Sequence, residues 1–375
     1  MDFDALPASV NRRKFIQYSL STAALAGVVP FANASPNSDA AAVYKRAIVI
    51  DTLMPEEGPV DAAAGVAAGF TAAVLDIKGY PRDAASAAAA MERWKNYFEA
   101  PGSRFLKVLT GADIRKAKTD SKFGIILASQ DASILGVPAY SSSETNIKAL
   151  EILHNQGLRV LQITHSDRNG LGDSYMEPTN AGLSLLGRAI VGEMNKHRML
   201  IDLSHCGEAT SMETIQLSSR PCAFTHMGCR ALMNTPRNKT NEAMKALANK
   251  GGYIGIFNMS VWLTRKDVPT IEDLIDHIDH AVNVAGIDHV GFGSDKDLDP
   301  KDLDKYLAGF REYYNRTKGR PGLDEYPKHV MIPELYSIHR MERIAFALAK
   351  RGRTDAEIEK ILGGNFARIF EEVCG

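Results

Sequence analysis

Met199-Leu200-Ile201-Asp202-Leu203-Ser204-His205 is an apolar run that ends in a histidine, and Pro221-Cys222-Ala223-Phe224-Thr225-His226 repeats the pattern shortly afterwards. A strand apolar at nearly every position is covered on both faces, as in a parallel sheet wrapped by helices. Working outward from these two, runs of the same kind lie at 47–53, 70–77, 123–129, 158–164, 252–257 and 289–294. Segments with helical spacing separate them. Leu183, Leu186, Ile190 and Met194 form one apolar face within 182–197, and Leu274, Ile275, Ile278 and Val282 form another within 271–284. Eight strands alternating with helices over this length predict a (β/α)8 TIM-type barrel of the α/β class. No Gly-rich nucleotide fingerprint follows the first strand, which weighs against a doubly wound sheet. The segment 297–334 reads as irregular and charged. Helices over 334–351 and 355–374 complete one domain, 44–375, as a helical C-terminal extension.

Composition closes off other classes. Of 375 residues, 45% are hydrophobic and 24% charged, and 44 Lys+Arg stand against 45 Asp+Glu. Without a basic excess there is no surface for nucleic-acid phosphates, so no nucleic-acid partner is expected. Four cysteines are too few for a disulfide scaffold. No apolar run reaches the roughly 18–20 residues of a transmembrane segment. The first 34 residues read as an address. Arg12-Arg13-Lys14-Phe15 precedes a weakly apolar run and the small residues Ala32-Asn33-Ala34. The arginine pair resembles a twin-arginine export signal. It implies the twin-arginine translocase as a partner, a periplasmic destination and a short linker at 35–43.

In a parallel barrel the chemistry gathers where strands end. The polar residues there are Asp51, Asp76, Gln130 with Asp131, His165, Asp202 with His205, His226, Asn258 and Asp295. A single such histidine is usually structural. Three histidines and an aspartate at one level of the barrel suit a borderline metal such as Zn2+. Arg237 lies in Pro236-Arg237-Asn238 after the strand ending at His226, where it could grip a substrate carboxylate. Asn258 is a second candidate substrate contact.

Several motifs together resemble the membrane (renal) dipeptidase family. They are Gly157-Leu158-Arg159-Val160-Leu161-Gln162-Ile163-Thr164-His165, Ile201-Asp202-Leu203-Ser204-His205, Thr225-His226, Pro236-Arg237-Asn238, Gly291-Phe292-Gly293-Ser294-Asp295 and Gly364-Asn365-Phe366-Ala367-Arg368. The resemblance covers roughly 45–373. It implies a zinc-dependent barrel that hydrolyses dipeptides with two metal ions. Carried onto this sequence, it makes His205 and His226 the ligands of one zinc and His165 the contact to the tetrahedral intermediate. Arg237 becomes the carboxylate anchor, and Asp295 the proton carrier near the substrate amine. The ligands of the other zinc, a His-x-Asp at the end of the first strand, correspond here to Leu53 and Pro55, and the bridging glutamate to Gln130. At most one zinc position is therefore expected, on His205 and His226 with Gln130 or Asp131 as third ligand.

Cys206 and Cys229 flank the two histidines, and three states stay open for these thiols: unpaired, disulfide-bonded or metal-binding. Cys222 shares the question. Two functions also stay open. One is an exported metal-dependent hydrolase of a dipeptide or related amide. The other is a catalytically degenerate barrel that binds a peptide-like ligand or assists maturation of a periplasmic product. A homodimer is compatible with either.

Overall fold

The computed structural model describes residues 39–55, 60–77, 83–136, 143–299, 302–322 and 325–375. The leader at 1–34 and the first part of the linker lie outside them. Residues 40–43 of that linker belong to a helix, Ala40–Arg46, whose Val43 and Tyr44 are buried.

Nine strands occur among the described residues: β1 Ile50–Met54, β2 Ala72–Asp76, β3 Phe105–Lys107, β4 Phe123–Ser129, β5 Leu158–Gln162, β6 Leu200–Asp202, β7 Ala223–Met227, β8 Tyr253–Ile256 and β9 Val290–Phe292. Eight run parallel in the order β1-β2-β4-β5-β6-β7-β8-β9, and β3 pairs only with β4, off that path. β3 is three half-buried residues with no run long enough to mark it in the sequence. The circle closes through single bonds rather than a ladder. The Asp295 N–H reaches the Leu53 carbonyl at 3.0 Å, and the Ser294 N–H reaches Asp51 Oδ1 at 2.7 Å. Helices alternate with the strands, so the expected (β/α)8 architecture is the one observed.

Two packing layers hold the barrel. Ile50, Val74, Ile126, Val160, Leu200, Ala223 and Tyr253 meet inside it, and Phe366, Ile369, Phe370 and Val373 of the C-terminal helix Asn365–Cys374 pack against them. Outside it, the helix faces read from spacing are the buried ones: Ile190 and Met194 of Leu185–Lys196, and Leu274, Ile275 and Ile278 of Ile271–Ala285. Their starts are fixed by side-chain caps. The Ser184 side chain accepts from the Gly187 N–H, and Thr270 forms a reciprocal box with Asp273. At mid-height Thr52 Oγ1 lies between the carbonyls of Thr225, at 2.7 Å, and Phe292, at 3.0 Å. Glycine is required at 255 and 293 because a Cβ there would stand 2.1 and 2.2 Å from the Thr225 oxygen.

Three expectations are corrected. The segment 297–334 contains a helix, Leu303–Thr317, capped by Asp302. Its apolar face is Tyr306, Phe310 and Tyr313, and the charges between them masked the spacing. The predicted helix 334–351 is a single turn, Pro333–Leu335, followed by Arg340–Lys350. The predicted helix 355–374 is interrupted at 360–364 by a wider turn. Gly363 there brings its backbone against β1, where a Cβ would lie 2.5 Å from the Ile48 oxygen.

The loop after β7 is tied to the helix layer by His277. Its Nδ1 accepts from the Cys229 N–H at 2.9 Å, so Nε2 carries the proton and donates to the Leu263 carbonyl at 2.9 Å. Burial pushes its pKa down from 6.5 to about 4. The folded chain therefore resists a proton that the unfolded chain takes up. Stability from this group is full above pH 6.5 and falls between 6.5 and about 4, by on the order of 3 kcal/mol. A His277→Gln variant, which keeps one acceptor and one donor, should show a shallower loss. The check is urea midpoints of both proteins at pH 7 and pH 4.5, which should converge as pH falls.

Candidate active site

The carboxyl ends of β4 to β7 bring the predicted residues to one rim. His226 lies inside β7, His205 three residues past β6, His165 three past β5 and Gln130 directly after β4. His205 Nε2 and His226 Nε2 are 2.9 Å apart, Gln130 Nε2 is 3.3 Å from His226 Nε2, and the His165 ring stacks on His205 with centroids 4.1 Å apart. All four side chains are buried.

Hydrogen-bond partners fix which imidazole nitrogens are bare. Asp202 receives four donors: the N–H groups of Ser204 and Thr225 at 3.0 and 3.1 Å, and their hydroxyls at 2.5 and 2.7 Å. Burial raises its pKa, and those four bonds pull it back. Since the Thr225 hydroxyl gives its proton to Asp202, it can only accept from His226 Nδ1, 2.8 Å away. His226 Nε2 is then a lone pair. The Arg237 Nη2 lies 3.1 Å from His205 Nε2, and a guanidinium can only donate, so His205 Nε2 is a lone pair too. Burial, with the Arg237 charge next in size, holds both imidazoles well below their usual pKa. Two bare nitrogens therefore face one another with no proton between them.

That arrangement asks for a cation, and the residues fit one ion. Two imidazoles on a tetrahedral zinc at about 2.0–2.1 Å place their nitrogens roughly 3.3 Å apart, a few tenths of an ångström wider than here. Gln130, turned by half a rotation, would offer its amide oxygen as a weaker third ligand. Among the described residues a second ion finds no set of ligands. Leu53 is a buried aliphatic at the end of β1. Asp51 is bound by Arg340 at 3.0 and 3.1 Å in a fully buried ion pair. Among the described residues, no three His, Cys, Asp or Glu side chains converge as a metal-binding group.

Arg237 is the other centre of the rim. It is fully buried, donating to the Ser204 carbonyl at 2.8 Å and the His226 carbonyl at 3.1 Å. Its Nε has no partner. The faces of Phe257, Trp262 and Tyr175 surround the guanidinium at 4.9–5.6 Å. Among the described residues no carboxylate lies within ion-pair distance of it. Asp295, half-buried across the rim, holds a left-handed φ of 55° imposed by its N–H closing the barrel on Leu53. Strain of this kind costs on the order of 1–3 kcal/mol and gathers at functional sites. Burial lowers the pKa of Arg237 and pulls that of Lys296 down to about 8, and the Asp295 charge opposes both shifts.

Two predicted residues do not join this group. Asp131 Oδ1 accepts from Ser133 N, Ser133 Oγ and Asn169 Nδ2 at 2.8–2.9 Å, capping a short turn instead of facing the histidines. Asn258 Oδ1 accepts from the Ile332 N–H at 3.1 Å, fastening the 330–332 segment, and its Nδ2 has no partner. The cysteines are free and buried. Cys206 accepts from the Thr164 hydroxyl at 3.5 Å, away from the metal position, and burial pushes the Cys222 thiol up to about 12. The residues missed from sequence are Arg340, Lys296, Tyr175 and Tyr313. Only the helical spacing of Tyr306, Phe310 and Tyr313 could have signalled one of them.

The chain is similar to known dipeptidases. A family model for membrane dipeptidases (peptidase family M19) matches residues 62–306. Dipeptidase tcpJ of Claviceps purpurea (strain 20.1) is 30% identical over 260 residues, which is 68% of this chain and 54% of that protein. Dipeptidase verJ of Clonostachys rogersoniana is 29% identical over 260 residues, 68% of this chain and 59% of that protein. The chain thus spans a little over half the length of these curated relatives. The crystal structure of an amidohydrolase from Pseudomonas aeruginosa superposes with a TM-score of 0.78 at 26% identity, covering 90% of this chain and 100% of its own. With more than half of its residues inside the family model, this chain belongs to the membrane dipeptidase family, peptidase family M19.

Proposed function

We propose that this chain hydrolyses a dipeptide or a similar small amide with a free carboxylate, using at most one metal ion. The observation that carries the reading is Arg237. A fully buried guanidinium with an unpartnered Nε and, among the described residues, no acid in reach stands beside two imidazole lone pairs meeting at 2.9 Å. Burying a charge without a counter-ion is costly, and a substrate carboxylate removes that cost. In this reading Arg237 anchors the carboxylate and Asp295 holds the substrate amine, later passing a proton to the leaving nitrogen. His165 donates from Nε2 to the oxygen that gains negative charge. The Thr225–Asp202 bonds keep His226 in the tautomer with Nε2 bare. When bound at His205 and His226, Zn2+ would polarise the scissile carbonyl and lower the pKa of a water.

The deciding experiment pairs elemental analysis of the purified full chain with a dipeptide hydrolysis assay. One zinc or less per chain is expected, with turnover lost to chelator and restored by Zn2+. Lack of turnover even with added Zn2+ would overturn the reading. The second reading, a barrel that binds a peptide-like ligand without cleaving it, is favoured by the weak third ligand. Peptide binding unchanged by chelator would support it.

Arg237→Met should raise KM for a dipeptide by roughly 30- to 160-fold, the loss of a charge-assisted hydrogen bond of about 2–3 kcal/mol. A C-terminally amidated dipeptide should be cleaved as poorly by wild type as by the variant. If amidation leaves wild-type KM unchanged, Arg237 is not the anchor. We further propose that residues 1–34 direct export through the twin-arginine translocase to the periplasm. Fractionation of cells expressing an Arg12→Lys, Arg13→Lys variant tests this, with retention in the cytoplasm expected.

A further inference from the structure

The helix Leu303–Thr317 lays its apolar face over the rim, and one of its side chains enters the hydrogen bonding of the site. Tyr313 OH lies 3.2 Å from Ser166 Oγ and 2.9 Å from Tyr175 OH, and Ser166 Oγ lies 2.9 Å from His165 Nδ1. Tyr175 returns the chain to the centre: its N–H donates to the His205 carbonyl at 2.9 Å and its ring meets the His205 ring edge-on. A run of hydroxyls thus joins the covering helix to the imidazole stacked on His205.

We infer that Tyr313 is a positioning residue for His165, acting through Ser166. The inference rests on the role given to His165 above, which needs Nε2 to carry the proton. Nε2–H requires Nδ1 to accept, so the Ser166 hydroxyl must donate to it, and Ser166 Oγ must accept in turn. A phenol is a stronger donor than an alcohol, so Tyr313 is the natural source of that bond, and Tyr175 can donate to Tyr313 behind it. Aligned in this sense, each bond polarises the next. Tyr313 then fixes both the tautomer and the ring plane of His165 without touching the reacting atoms.

The test uses the full chain, with imidazole 15N resonances read by NMR at one fixed pH. In Tyr313→Phe the His165 Nδ1 resonance should move toward that of a nitrogen lacking a donor, and Ser166→Ala should move it the same way. The double variant should add nothing. With a dipeptide, Tyr313→Phe should lower kcat roughly three- to tenfold and leave KM within about twofold, as expected for one hydrogen bond. A folded Tyr313→Phe protein with an unmoved His165 resonance overturns the inference, whatever its turnover. If that variant does not fold, Tyr175→Phe carries the same readout from one hydroxyl further out. The NMR arm needs no hydrolysis. A wild type that fails to cleave dipeptides would sink the hydrolase reading, while a displaced resonance would still establish the positioning role.

Discussion

A His226→Ala variant should lose dipeptide hydrolysis by about three orders of magnitude or more, and its zinc content should fall to background. The size follows from what the side chain does. In the proposed site it would contribute one of two strong donors, and an ion left with a single imidazole and an amide oxygen would not be retained against water. In the proposed mechanism the loss of rate is that of the chemistry the ion would supply. His226 is fully buried, so truncation also leaves a small cavity and removes the donor to the Thr225 hydroxyl. That part costs about 1–3 kcal/mol, which a melting curve separates from the catalytic effect. Asp202→Asn provides the graded comparison. It leaves both ligands in place and disturbs only the bond that sets the tautomer, so a loss of roughly 10- to 100-fold is expected. Retention of more than about a tenth of wild-type turnover in His226→Ala would show that the reaction takes place elsewhere. Equal losses in the two variants would show that His226 acts through structure alone.

The barrel was legible because buried parallel strands leave a plain mark. β4 through β9 are nearly uninterrupted apolar runs, and the polar residue after each run falls at the rim by the geometry of the fold. His165, His205 and His226 were read this way, whereas Arg237 was singled out in the loop beyond the His226 strand and took its role from the family resemblance. What stayed hidden shares one property: it depends on contacts between segments far apart in sequence. Asp51 reads as a rim acid until Arg340, 289 residues later, takes it. Tyr313 lies on a helix whose apolar face is interrupted by charged residues, and its link to His165 spans 147 residues from Ser166. Asp131 and Gln130 are neighbours with the same expected role, yet one caps a turn and the other faces His226. That distinction lies in side-chain direction after a strand ends, where the two-residue alternation no longer applies.

Asp51→Ala should destabilise the fold by about 3–5 kcal/mol, the largest stability effect expected of any single change here, because it leaves Arg340 buried without its acid. Both side chains are 0% exposed, and the guanidinium meets the carboxylate through Nε and Nη2 at 3.1 and 3.0 Å. Burial raises the Asp51 pKa, while Arg340 and the Ser294 N–H oppose that rise. After truncation, Arg340 keeps, among the described residues, the carbonyls of Leu298, Ser337 and Lys296 and the face of Phe70. The change also frees the Ser294 N–H, and with it one of the bonds that close β9 onto β1. Lost closure adds to the unpaired charge, so the effect should exceed that of breaking an exposed pair such as Lys328–Asp267, for which about 0–1 kcal/mol is expected. Arg340→Met separates the two contributions. It removes the buried cation while leaving the Asp51–Ser294 bond, and the double variant should be more stable than Asp51→Ala alone, since neither charge is then buried unpaired. Denaturant midpoints for the two single variants and the double variant measure this. If the double variant is no more stable than Asp51→Ala, the unpaired cation is not the main cost, and closure through Ser294 carries it instead.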